Sequence, residues 1–276
     1  MGEALYIHPL VQSAMMMRIS KAESAKYFDL VTSLLSSSFL NTWNIVTNHQ
    51  FATWMDCDQC IHHVGHLIRL LPEQPKDSID INAFAELILR CTWYIHQRTS
   101  FLFLFIPSRA VANREYRNLH EREDYTAAIT FLDAALGIIA RKSSLIYASA
   151  LMLRGFIELD INKPRASFAS FFQALNIRQR IMQPRDEFIA SSLNALSLAC
   201  TEFNELSKAQ EYGLRAIEIR LRNRSDRIGN SYSNMASTLL RMGKPDEAEA
   251  MLKQCPSIKS FSDQSFLDSK DPRFSG

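Results

Sequence analysis

From residue 143 onward, apolar residues fall three and four apart and are interrupted by short polar breaks, in a rhythm that recurs. Three segments align: LMLRGFIELDINKPRASFASFFQALNIR (151–178), LNALSLACTEFNELSKAQEYGLRAIEIR (193–220) and YSNMASTLLRMGKPDEAEAMLKQC (232–255). Each reads as helix, short turn, helix, because that spacing gathers apolar side chains on one face of a rod with 3.6 residues per turn. The first half carries the same period less regularly. It predicts helices over 22–38, 51–71, 81–98 and 124–142, with FLNTWNIVTNHQ as a loop after the first. The proline-containing connector 71–80 ends in DSID, a helix-start signal. Eight glycines in 276 residues agree with a helical chain, since a glycine inside a helix costs about 1 kcal/mol relative to alanine.

The repeat has a physical signature beyond its period. Gly155, Ser197 and Ala236 fall at one place in each first helix, at spacings of 42 and 39. Ser167, Ala209 and Ala248, then Ala174, Ala216 and Cys255, do the same in each second helix. Short side chains let two antiparallel helices approach while bulky neighbours fill the grooves beside them. Asn162, Asn204 and Gly243 occupy equivalent turn positions, where a left-handed residue can end a helix. Pro164 and Pro245 follow two residues later, where a helix can begin without an N–H. This pattern resembles the tetratricopeptide repeat, and the period of about 40 is similar to the longer repeats of kinesin-light-chain-like proteins. The best match is RMGKPDEAEAMLKQCP; Arg154 and Ser167 depart from it in the first unit. The resemblance implies an all-α fold, a right-handed α-solenoid of tetratricopeptide-like helix pairs.

Ahead of the repeats, IHPLVQSAMMMRIS (7–20) resembles a segment that follows the ATPase in fungal signalling ATPases of the NB-ARC, or STAND, class, although Pro9 stands where an arginine is usual. In that family a helical linker and tetratricopeptide repeats come next. No G-x-x-x-x-G-K-[ST] occurs, and Gly243–Lys244 runs into Pro245 in a repeat turn, so nothing cradles a phosphate. The chain therefore resembles the sensor half of such a protein, as a truncated member lacking its ATPase. Four regions are expected: a helical linker region 1–75, a degenerate repeat 76–142, three repeats over 143–256 and a tail 257–276. Within the second, 99–123 has two readings. Either VANREYRNLHERED (111–124) is a separate helix turning tightly into 124–142, or 99–123 is an insertion; the irregular SFLFLFIPSRA favours the insertion and should be partly buried.

Composition and candidate chemistry narrow the function. A net charge of +2 with mixed signs does not argue for nucleic acid or an anionic membrane. The strongest apolar run, FLFLFIP, is far short of a bilayer span, and the N-terminus lacks a secretory or myristoylation signal. A cytoplasmic protein is expected. CDQCIHHVGH (57–66) has the residue types of a metal site, but on one helix Cys57, Cys60, Val64, Leu67 and Leu71 make an apolar stripe. A single helix cannot wrap four ligands around an ion, and Cys91, Cys200 and Cys255 are isolated in sequence. The segment reads as packing, with His62 and His66 as the one surface pair able to hold zinc. No catalytic signature is present, so no catalytic residue, metal or cofactor is expected. Arg215, Arg220, Arg222, Arg224 and Arg227 read as cations near a helix C-terminus, and Met15, Met16 and Met17 as core-filling.

The site expected from the resemblance is the groove lined by first helices. Counting from the aligned small residue places Ser149, Met152, Phe156 and Leu159 there, then Ser191, Asn194, Leu198 and Glu202, then Asn230, Ser233, Asn234 and Arg241. Asn194 and Asn234 have amides that can donate to and accept from a peptide backbone. The expected function is a non-enzymatic scaffold that binds a protein or peptide, with no nucleic acid and no membrane. The alternative is a regulatory fragment that self-associates or joins an ATPase-bearing relative.

Overall fold

Ten α-helices form among the described residues of the computed structural model, which are 18–39, 54–75, 77–105 and 114–256; for 54–56, 98–105 and 114–124 the backbone alone is described. No strand occurs among them. The chain divides into two units, 1–140 and 141–276. The segment IHPLVQSAMM, Met17, most of the loop 39–50 and the tail 257–276 lie outside the described residues.

The first unit holds α1 (Lys21–Ser38), α2 (Trp54–Leu70), α3 (Ile81–Phe105) and α4 (Arg114–Ile138), with a 3₁₀ turn Leu71–Glu73 after α2. Ser20 and Glu23 open α1 with a reciprocal capping box. Asp80 opens α3, its Oδ1 accepting from the Asn82 and Ala83 amides. Contacts between α1 and α3 climb together: Asp29 meets Asp80, and Ser36 meets Arg90. The two helices are therefore parallel, as successive first helices of a repeat must be. Phe28 packs edge-on against Phe84 at 4.8 Å, and Phe39 against Tyr94 at 6.2 Å. Val64, Leu67, Leu87, Ile88, Ala128, Leu132 and Ala135 are among the other buried residues of this unit.

At 114–124 the structure departs from the reading of a separate helix that turns tightly into 124–142. Residues 99–105 continue α3 and 114–123 continue α4, each helix being 25 residues long. No turn occurs at 124. The physical reason is local: TSFLFLF and REYRNLHERED contain neither glycine nor proline, so nothing in them stops a helix already started.

The second unit holds α5 (Leu145–Asp160), α6 (Pro164–Ile181), α7 (Glu187–Glu202), α8 (Leu206–Asn223), α9 (Ile228–Arg241) and α10 (Pro245–Gln254). The turns inside its three pairs are copies of one another. Asn162, Asn204 and Gly243 have φ of 58°, 67° and 74°. The next amide in each turn returns to the helix: Lys163 to the Glu158 carbonyl, Glu205 to Cys200 and Lys244 to Leu239. These are the closing bonds of a Schellman cap.

Close approach within each pair is met by three different exchanges of volume. In the first, a Cβ on Gly155 would lie 2.3 Å from Phe171, so the ring occupies the space that the glycine leaves. In the second, the position equivalent to Phe171 is Gly213, and Met235 from α9 fills the space instead. Ser197 sits opposite, its hydroxyl donating to the Ala209 carbonyl at 2.7 Å. In the third, Leu252 packs against the cluster holding Ala236 and Ala248. All three small residues of the first helices are buried. The fold is thus an all-α array of repeated helix pairs.

Candidate functional site

The face formed by α5, α7 and α9 is held together by polar contacts, and these begin with two arginines that sequence reading missed. Arg178 and Arg220 occupy the same place at the ends of α6 and α8, and each is only 3% exposed. Arg178 Nη1 donates to the Phe188 carbonyl and to Ser192 Oγ at 3.0 and 2.8 Å. Arg220 Nη1 donates to the Arg227 carbonyl and to Ser231 Oγ at 3.2 and 2.8 Å. The receiving residues are themselves equivalent, so one clamp is used twice: a guanidinium from a second helix ties down the opening turns of the next first helix.

The two clamps differ in charge balance. Arg220 Nε also meets Glu187 Oε1 at 2.9 Å, and Nη2 meets Ser191 Oγ at 3.1 Å. Burial pulls the Arg220 guanidinium below its ordinary pKa, and Glu187 pulls it back. Arg178 has the Phe188 ring 5.2 Å from its guanidinium carbon but no carboxylate in contact. Burial lowers its pKa to about 10, and Asp186 opposes this only by its field. Arg220 does lie in the last turn of α8, as the sequence reading had it, but it is buried there. Arg222 and Arg215 do pair with Glu218 and Glu211 on the exposed side of α8.

From Arg220 the network passes to the face. Ser231 donates to Asn194 Oδ1 at 3.1 Å. Further along, Thr201 and Thr238 share a buried hydroxyl pair at 2.8 Å. Arg241 then donates to the Thr201 carbonyl and meets Glu202 at 3.1 Å. Glu202 and Arg241 thus hold α7 to α9 as much as they face solvent. Asn194 and Asn234 are both half-buried. The Asn194 oxygen is used; the Asn234 amide makes no hydrogen bond among the described residues. Leu198 is half-buried, and Asn230 and Ser233 are exposed.

Two of the sequence-derived positions belong to the interior. Met152 is 4% exposed, lies in the core and receives the Ser192 hydroxyl at its Sδ. Placing it on an open groove is corrected: Ser192 and the core residues around it on α7 cover Met152. Phe156 is half-buried, its ring edge-on to Phe171 at 5.1 Å.

In the first unit, Cys57, Val64 and Leu67 are buried, while His62, His63 and His66 are exposed. Cys91, isolated in sequence, lies near Cys57 and Cys60 in space, and burial first, then these two thiols, push its pKa well up. Among the described residues no group of three His, Cys, Asp or Glu side chains is placed to hold a metal ion. No described helix is long and apolar enough to cross a membrane.

A tetratricopeptide repeat family matches residues 229–255, which span α9 and α10. Such repeats generally mediate protein–protein interaction. No curated protein matches the chain. Among solved structures the chain is similar to the crystal structure of BtubC (BKLC) from P. vanneervenii, at 16% identity and a TM-score of 0.47, over 86% of this chain and 92% of that one.

Proposed function

We propose that the chain is a non-enzymatic interaction scaffold that binds a protein or peptide partner along α5, α7 and α9. The observation that carries this reading is the pair of half-buried amides, Asn194 and Asn234, on adjacent first helices of a repeat array. The Asn234 amide is unsatisfied among the described residues, and Glu202 and Arg241 neutralise each other nearby. A neutral surface with free amide donors and acceptors suits a peptide backbone more than a charged terminus.

Affinity capture with the wild-type chain and with Asn194→Ala/Asn234→Ala tests the reading. Loss of the captured partner from the double variant, with an unchanged circular dichroism spectrum, is the expected result. The same partner at the same yield would remove the face from consideration.

A further inference from the structure

The three helix pairs of the second unit put their internal turns on one edge, and the links that enter or join the pairs on the other. Those links are 141–145, 179–186 and 221–227. They hold seven cations against two carboxylates, so this edge is strongly cationic although the chain's net charge is only +2. The links are neighbours. Asn223 Nδ2 donates to the Arg185 carbonyl at 2.9 Å, which joins the second to the third. Ser170 Oγ donates to Glu158 at 2.7 Å across the first pair, a register that sets Leu145 beside the last turn of α6. Arg141, Arg180, Arg185 and Arg224 are exposed here and make no ion pair among the described residues. Of the two carboxylates, Asp186 caps α7 by accepting from the Phe188 amide, and Asp226 is exposed. A helix dipole favours cations in its last turn. That covers Arg180 but not Arg141 or Arg185, which lie between helices.

Two further observations are independent of the charge count. Arg224 ends α8 in the left-handed conformation, φ 49° and ψ 44°, where the turns inside the pairs use Asn162, Asn204 and Gly243. A long side chain is disfavoured there, and an arginine in a glycine conformation points to a use for its side chain. Beside the arginines, Leu145, Ile181 and Leu221 are 38%, 49% and 46% exposed.

We infer that this edge takes an extended segment of a partner protein in which acidic and aliphatic residues are interleaved. Guanidinium forks match carboxylates bidentately. The three exposed aliphatic side chains give apolar residues of such a segment a place to pack, which a phosphate backbone would leave uncovered. First helices touch through Ser192 and Met152, and through Thr201 and Thr238, so successive links lie about 8–10 Å apart. An extended chain rises about 3.3 Å per residue, so every third residue of the segment meets a new link. The inference does not rest on the face proposed for α5, α7 and α9, because the edge lies at the helix ends.

Fluorescence anisotropy of the full chain with a labelled peptide of Glu-Leu-Ser repeats, at physiological salt, tests it. Saturable binding is expected. Arg180→Gln/Arg185→Gln/Arg224→Gly should weaken it at least about tenfold. The same variant should not lower the thermal midpoint, because glycine suits the left-handed position and the other two arginines pair with nothing. A peptide of Glu-Ser-Ser repeats should bind at least about threefold more weakly, since it lacks the apolar contacts. An oligothymidylate of equal charge should also bind more weakly than the Glu-Leu-Ser peptide. No saturable binding of that peptide, binding unchanged in the triple variant, or equal binding of either control overturns the inference.

Discussion

Arg178 and Arg220 hold the same place in successive repeats and make the same two bonds through Nη1, yet their removal should have unequal consequences. Arg220→Met strands Glu187, which is 9% exposed and already has one unpartnered oxygen, Oε2. Breaking a buried pair from one side costs about 3–5 kcal/mol. Arg178→Met strands no carboxylate. A fall in pKa to about 10 from the ordinary guanidinium value corresponds to roughly 3 kcal/mol against the charged form at neutral pH. Its relief offsets part or all of the two bonds to Phe188 and Ser192, each worth about 1.5–3 kcal/mol. Arg178→Met should therefore cost roughly 0–3 kcal/mol, less than Arg220→Met. Urea unfolding followed by far-UV circular dichroism measures both. Trp43, Trp54 and Trp93 all lie in the first unit, so tryptophan fluorescence follows that unit separately. Glu187→Leu/Arg220→Met should recover most of the loss. Equal destabilisation by the two single variants, or an Arg220→Met cost below about 1 kcal/mol, would refute the distinction.

The remaining expectations are as direct. Because the folded-state pKa of Arg178 lies below its unfolded value, the native protein gives up that proton first. The cost of the charge is full well below pH 10 and is relieved as pH rises through about 10; the gap in thermal midpoint between wild type and Arg178→Met should shift in favour of wild type between pH 9 and pH 11. Gly155→Ala would press on the fully buried Phe171 ring, and overpacking of about 1–3 kcal/mol should exceed the gain of about 1 kcal/mol in helix propensity; Phe171→Leu in the same chain should relieve it. Gly213→Ala meets chiefly the end of the flexible Met235 side chain, so thermal melts should show it nearly neutral. Of the five cysteines only Cys60 is partly exposed, so a thiol reagent should titrate one group in the native protein and five in denaturant.

Much of the second unit was legible in the sequence because its signals are steric and local. Asn162, Asn204 and Gly243 mark left-handed caps, Pro164 and Pro245 mark helix starts, and recurrent small residues mark close approach. The same logic fails where a neighbouring helix decides. Met152 sits at a groove position by count, yet α7 covers it. Arg220 looks like one of several arginines near a helix C-terminus, and only the arrival of Glu187 and Ser231 from other helices makes it a buried clamp. The clue that could have found it is the spacing of Arg178 from Arg220 and of Ser192 from Ser231, which matches the repeat. At 99–105 and 114–123 an odd composition suggested a break, while the absence of glycine and proline carried the helices onward.

The central claim is that a partner lies along the first helices of the second unit. Photo-crosslinking tests it most directly, with the reactive amino acid placed at exposed Ser233 on α9 and, in a second chain, at exposed Phe172 on α6. Adducts with a partner protein from position 233 and none from 172 are the expected result; adducts from 172 with none from 233 would contradict the account.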